Sequence, residues 1–351
     1  MADATLRQVE EQSGAVFSDA NSALPAHFGD PAGEYHIARG AAALFDLNDR
    51  TQIEITGTDR ATFLHNFCTN DIKRLRAGEG CEAFVTSVKG RVLAHIFVFA
   101  APESLWIETV PGSGESLIAH LDRYLITEDV QLHDRTGAVG ELFVSGPEAA
   151  GSLDRLGMDV GELAPFGHAP VTSLPHPLFV RRVDLLAQPG FLLSAPRVHL
   201  ADLWSRLTAA GLRPAGHAAF EPLRIEAALP QYGVDITDDQ LAQEVARIRQ
   251  AISFTKGCYL GQEPIARIDA LGHVNRELRG LECESGPVPA AGTPVLAADT
   301  GAEIGQVTSA AFSDGRQAPV ALGYLRRQYT KPGTAVRVGD AVATVFWPEG
   351  E

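Results

Sequence analysis

Apolar and polar positions alternate along this chain with two different periods, and the style changes near residue 275. Gln52-Ile53-Glu54-Ile55-Thr56 alternates as a half-buried strand does. Gly57 and Asp59 follow as turn and helix N-cap, ahead of Phe63, Leu64 and Phe67 on one helical face. Before it, Ile37, Ala41, Leu44 and Phe45 predict a packed helix over residues 35–45. Further strands are predicted at residues 82–87, 92–99 and 105–110, with Lys89-Gly90-Arg91 as the first turn. Leu117, Leu121 and Leu125 then space a helix, and residues 130–132 read as a strand.

The strand, hydroxyl residue, glycine and helix of residues 54–61 recur at residues 141–150, where Glu141-Leu142-Phe143-Val144-Ser145-Gly146 leads into Glu148-Ala149-Ala150. Two similar α/β units in succession predict a duplicated α+β body rather than a barrel or a dinucleotide fold. No GxGxxG or GxxxxGK[ST] run follows these strands, so nucleotide phosphate binding has no local support. Strands resume at residues 178–184 and 191–194, and Leu200, Leu203 and Leu207 mark a helix ending near Gly211. Glu221-Pro222 reads as the opening of another helix, because proline is tolerated in the first turn. Thr237 with Gln240, and Leu241, Val245, Ile248 and Ile252 after them, fit a capped helix over residues 235–252.

From Arg276 onward, short β runs are punctuated by Gly286-Pro287, Gly292, Asp299-Thr300-Gly301, Asp314-Gly315 and Lys331-Pro332-Gly333, which predicts a small β-barrel or sandwich. The expected divisions are an arm over 1–33, α+β units over 34–137 and 138–275, and a barrel over 276–351.

Composition narrows the function classes. With 351 residues, 45% hydrophobic and 21% charged, the chain is that of a folded multi-domain protein. A net charge of −15 argues against a nucleic-acid or anionic-membrane partner, which needs a basic face. No apolar run approaches membrane-spanning length and Met1-Ala2-Asp3-Ala4 lacks signal-peptide character, so a cytoplasmic location is expected. Four scattered cysteines without CxxC or CxxH spacing predict no self-contained metal site, and Cys68, Cys81 and Cys283 read as packing residues.

Chemistry concentrates in Lys256-Gly257-Cys258-Tyr259-Leu260-Gly261-Gln262-Glu263. Two glycines around a thiol build a tight loop, and a lysine converging on Cys258 would favour its thiolate. A small buried cysteine in a turn accounts for the same letters when they are read alone. Tyr259 suits core packing or ligand contact, and Gln262 and Glu263 suit capping of nearby amides.

Several stretches together resemble the glycine-cleavage T-protein fold, and more closely the YgfZ-type folate-binding proteins linked to iron–sulfur enzymes. They are Ala43-Leu44-Phe45-Asp46-Leu47 with Thr69-Asn70-Asp71; Leu223-Arg224-Ile225-Glu226 through Gln231-Tyr232-Gly233; the Lys256–Gly–Cys–Tyr run; and Ile304-Gly305-Gln306-Val307 with Gly323-Tyr324. The first, second and fourth of these stretches belong to the superfamily at large, whereas the cysteine run marks the YgfZ-like branch. The resemblance implies a ring around a tetrahydrofolate (or folate-derivative) site closed by a C-terminal barrel, with Arg224 for a folate carboxylate and Tyr232 for a flat ring, and, against the helical spacing, an irregular, partly extended segment over residues 235–252. Arg224 paired with Glu221 or Glu226 on its own helix fits the sequence equally well.

Two departures separate the function classes. Where the T-protein carries its catalytic aspartate, this chain reads Gly90-Arg91-Val92-Leu93-Ala94-His95, and Ala94 holds no proton. His95 is expected to face away, because neighbours on a strand point oppositely. The pterin-anchoring acidic run is replaced by Gln188-Pro189-Gly190-Phe191. The resemblance therefore implies a folate-binding accessory protein for assembly or repair of iron–sulfur enzymes, with iron–sulfur proteins or cluster carriers as partners and Cys258 and Lys256 as the reactive pair. Its alternatives are a folate-dependent aminomethyl or methyl transferase using Glu263 or His95, and a non-catalytic scaffold with a vestigial folate site.

Overall fold

A computed structural model describes residues 4–348, apart from the Leu271 side chain; the Met1-Ala2-Asp3 start lies outside the described residues. It is a mixed α+β fold ending in a closed β-barrel, and its chain divides into two compact units. No helix among the described residues is long and apolar enough to cross a membrane.

The first unit comprises Met1–Arg60, Leu75–Gly80 and Phe97–Glu221. Its six-stranded sheet runs in the order Arg213–Pro214, Ala43–Asp46, Val139–Ser145, Gly190–Pro196, Leu178–Arg182, His168–Val171. The Leu200–Ala209 helix buries Leu200, Leu203, Trp204 and Leu207, the stripe that its spacing predicts. These join Leu44, Leu142, Val144 and Leu193 of the sheet in one apolar cluster. The opening stretch is built into this unit: Leu6–Gln12 is a helix with a Thr5 capping box, and Phe28 stacks on Trp204 at 5.6 Å.

The second unit comprises Ala61–Arg74, Cys81–Ile96 and Pro222–Glu351. It holds the Arg60–Phe67 helix from Ala61 on, the Gly80–Thr86 strand from Cys81 on, the start of the Val92–Ala100 strand, the Gln262–Leu271 helix and the barrel. The barrel order is Arg276–Cys283, Ala318–Arg326, Glu303–Ser313, Pro294–Ala297, Ala335–Val338, Ala341–Phe346, and pairing of the first with the last closes it. Leu281, Val295, Ile304, Val307, Leu325, Val336 and Val345 fill its interior. Closure removes the exposed edges that six short strands would otherwise leave.

Three local expectations are corrected. The helix of residues 35–45 is a helix over Pro31–Gly40 and then the strand Ala43–Asp46, all four strand residues buried. A short run buried on both faces has no period to tell strand from helix. The helix opening at Glu221-Pro222 begins earlier, at His217, so Pro222 lies inside His217–Glu226 and removes one interior amide donor. Residues 235–252 form no continuous helix: a 3₁₀ turn at Ala242–Val245 and a single turn at Ile248–Ala251 are separated at Ala246, whose φ is +61°. Thr237 and Gln240 do pair, through Thr237 N to Gln240 Oε1 at 2.6 Å. The segment then bonds outward instead, Val92 N donating to the Gln240 carbonyl at 2.9 Å.

Candidate functional site

The 256–263 loop lies wholly in the second unit, and it is held from three sides. Lys256 is 6% exposed and its Nζ donates to the carbonyls of His65 (2.5 Å), Cys68 (2.7 Å) and Asn70 (2.8 Å), at and just beyond the end of the Arg60–Phe67 helix. A cation there satisfies carbonyls left open by the helix end and meets the negative end of its dipole. The same ammonium lies 4.7 Å from the ring centroid of Tyr259, a cation–π contact. Burial pushes the Lys256 ammonium pKa down. Tyr259 is itself buried, and burial pushes its phenol up to about 12.

The far end of the loop is fixed by its backbone. Leu260 N donates to the Asn66 carbonyl at 2.8 Å, and Thr86 Oγ1 donates to the Leu260 carbonyl at 2.7 Å. Gly261 has φ +85°, and a Cβ there would meet the Ser87 carbonyl oxygen at 2.4 Å, so glycine is required twice over. Gln262 and Glu263 then open the Gln262–Leu271 helix, where a glutamate suits the positive end of the dipole. Gly257 differs: it is exposed, and a Cβ would meet only His65 Nε2, at 3.9 Å.

Cys258 is the exposed cysteine, whereas Cys68 and Cys283 are buried and Cys81 is partly covered. Burial pushes the Cys68, Cys81 and Cys283 thiols up, as expected of packing residues. The Lys256 ammonium, expected to act on Cys258, donates to three carbonyls and lies against the Tyr259 ring, so it anchors the loop that carries the exposed thiol. Beside the loop, His65 Nδ1 lies 3.3 Å from Asp71 Oδ1; burial first, then the Lys256 charge, pushes its pKa down.

Thr69-Asn70-Asp71 is what ties this region together. Asn70 Nδ2 donates to the carbonyls of Glu82 (2.8 Å) and Gln250 (2.9 Å), and Thr69 Oγ1 donates to Ala251 (2.6 Å) while accepting from Phe84 N (2.8 Å). Side chains thus stand in for a strand ladder between residues 82–84 and 250–251.

Ala94 is 1% exposed and carries no titratable group, while His95 is turned onto Glu82, Nε2 to Oε1 at 2.7 Å. Arg247 completes the cluster with Nε and Nη2 on the two Glu82 oxygens at 2.5 and 2.7 Å. Burial alone would raise the Glu82 carboxyl, but Arg247 and His95 outweigh it and hold it at about 2. His95 is therefore engaged in a buried ion cluster.

The two residues expected to contact folate are both engaged within the protein. Arg224 is 2% exposed and donates to Asp235 Oδ2 at 2.8 Å and the Leu229 carbonyl at 3.0 Å. Asp235 is thus an acid that Arg224 meets, and it also accepts from Thr308, Ser309 and Gln231 N. A guanidinium already buried against a carboxylate is not offered to a ligand carboxylate. Tyr232 is half-buried against the cluster of Phe84, Val92, Ile236 and Tyr259, and burial pushes its phenol up. Asp235, His65 and Thr86 were not singled out from the sequence, since nothing local marks an acid, histidine or threonine whose partners lie far along the chain. Glu263 is exposed and borders an open groove of about 550 Å³ with Pro264, Arg267 and Ile268. A second cleft, about 360 Å³, is lined by Gln243, Arg249, His273 and Trp347 among others.

Against known proteins, residues 6–256 match the GCVT N-terminal domain and residues 276–344 the glycine cleavage T-protein C-terminal barrel domain. An aminomethyltransferase of Streptomyces avermitilis is 30% identical, over 92% of this chain and 88% of its own. A putative chloroplastic transferase of Arabidopsis thaliana is 27% identical, over 86% of this chain and 69% of its own. The fold is similar to that of the glycine cleavage system aminomethyltransferase T of Bartonella henselae, with TM-score 0.86, 22% identity and coverage of 98% and 96%.

Proposed function

Because the chain belongs to the glycine-cleavage T-protein family, we propose that it binds a tetrahydrofolate-class ligand and acts in folate-dependent one-carbon transfer. The observation that carries this reading is the match over both parts of the fold, with relatives named aminomethyltransferase along nearly the whole chain. The family uses tetrahydrofolate, and the reading does not rest on Arg224, which is engaged with Asp235. An acid/base for the transfer is not supplied by Ala94 or by His95. Glu263, exposed beside a groove, is the remaining carboxylate of the loop with access to a ligand. Calorimetric titration with tetrahydrofolate should show saturable heat, and turnover of an aminomethyl or N-methyl donor should need it. Replacing Glu263→Gln should lower kcat at least tenfold with folate affinity kept. Absence of heat at high micromolar ligand would refute the reading.

A second reading is favoured by one feature, the exposed thiol on a loop clamped by Lys256, Thr86 and Gly261. It is the YgfZ-type role: a folate-binding accessory protein whose Cys258 meets iron–sulfur proteins or cluster carriers. One thiol cannot hold a cluster alone, so the partner would supply the other ligands. In a deletion strain, Cys258→Ala should fold and bind folate yet fail to restore iron–sulfur enzyme activity. Full restoration by that variant counts against this role and leaves the transferase reading in place.

A further inference from the structure

The cleft of about 360 Å³ in the second unit is of the size that takes a small molecule, and several short pieces of chain wall it. Arg249 comes from the single turn Ile248–Ala251, and Asp269 from the last turn of the Gln262–Leu271 helix. His273 follows just beyond that helix, and Arg327 opens the 3₁₀ turn Arg327–Tyr329 of the barrel. All four are exposed. Among the described residues, none of these four side chains makes a hydrogen bond, ion pair or ring contact.

The other charges of the wall satisfy one another. Arg279 donates to Glu277 through Nη2 and to the Thr330 carbonyl through Nε at 2.8 Å, and its guanidinium lies 4.9 Å from the Trp347 ring centroid. With that pair neutralised, the cleft offers a ligand two guanidinium groups and one carboxylate. Gln243, 4% exposed, adds an acceptor. Its Nε2 donates to the Ile265 carbonyl at 2.7 Å, which fixes which way the amide points and leaves Oε1 without a donor. Asp269 is misplaced for the helix alone, since an acid in the last turn meets the negative end of the dipole. A ligand cation at that end would meet the carboxylate and the dipole together.

We propose that this cleft binds an acidic α-amino acid, with its two carboxylates on Arg249 and Arg327 and its ammonium on Asp269. Each guanidinium presents a planar fork that a carboxylate matches with two bonds. Of the ligand's ionised groups only the ammonium can donate to Gln243 Oε1. Inorganic phosphate would suit the arginines but would face Asp269 as a like charge and bring no ammonium. A neutral amino acid would leave one arginine without a partner. In a chain of net charge −15, the preference for an anion is set by these local groups and not by the overall field. Nothing in this site requires a folate ligand.

Calorimetric titration of the full chain with L-glutamate and with L-aspartate tests this. At least one should give saturable heat, and glycine and inorganic phosphate should each bind about tenfold more weakly or worse. Arg249→Gln and Arg327→Gln should each weaken the amino acid about tenfold or more. Asp269→Asn should weaken it by a similar factor while glutarate, which lacks the ammonium, binds as well as to the native chain or better. The replaced side chains are exposed, and an unchanged thermal unfolding midpoint certifies each variant as folded. No saturable heat with either amino acid up to tens of millimolar overturns the proposal. So does phosphate binding as tightly as the amino acids, native affinity in both arginine variants, or a loss of glutarate equal to that of glutamate in Asp269→Asn.

Discussion

Glu82 and Glu10 are both buried glutamates, one in each unit, and they behave oppositely. Glu82 receives Arg247 on both oxygens and His95 on one, and stays ionised down to about 2. At Glu10 burial, then the nearby charge of Asp46, holds the proton far above the usual carboxylate range. Desolvation is the largest single effect at both sites, and it pushes both the same way. The partner decides the outcome. A cation that brings its own hydrogen bonds overcomes burial, whereas a second acid adds to it.

The largest effect should come from taking the cation away. Arg247→Met leaves Glu82 buried and unpaired and should cost about 3–5 kcal/mol in urea unfolding at pH 7. The acid limb gives the sign: Glu82 contributes stability that is complete above about 4.5 and lost as pH falls toward about 2. In Arg247→Met that acid loss should disappear, since the protonated acid is then the better tolerated form. If the variant keeps both its stability and its acid limb, the pair does not set the charge of Glu82.

A smaller effect tests whether the same rule governs a buried cation. Lys256→Met strips three carbonyls of their donor and should cost about 2 kcal/mol, with faster proteolysis within residues 254–262. Arginine is longer and flat, so Lys256→Arg should not restore the loop. Smallest is Cys258→Ala, within about 0.5 kcal/mol of the native chain by thermal unfolding, because the side chain is exposed. A larger loss would mean that the thiol is packed, not presented.

Much of the fold was legible because its signals are local. The alternation of residues 52–56 gives the Thr51–Thr56 strand, the apolar spacing of 200–207 gives the Leu200–Ala209 helix, and the Gly and Pro turns after 275 give short barrel strands. The failures share a cause. Thr237, Gln240 and the apolar residues after them satisfy a helix pattern, yet backbone groups there bond Val92 and Gly90 instead. Leu44 and Phe45 continue a helical spacing, but they are buried as a strand between two neighbours, Arg213–Pro214 and Val139–Ser145.

At the candidate site, Gly261 and the exposed Cys258 stand as a tight loop requires. Lys256 and Arg224 do not do what their neighbours in sequence suggest. The acceptors of Lys256 lie 186 to 191 residues earlier in the chain, and Asp235, an acid of Arg224, opens a segment whose helical spacing the structure overrides. By itself the sequence determined where the chain turns, which faces are apolar, and that a thiol sits in a glycine-bounded loop, since these follow from backbone freedom and hydrophobic spacing. Tertiary structure alone decided which charges are paired and which carbonyls a buried lysine anchors. Those outcomes depend on distance and water exclusion between groups far apart in the chain.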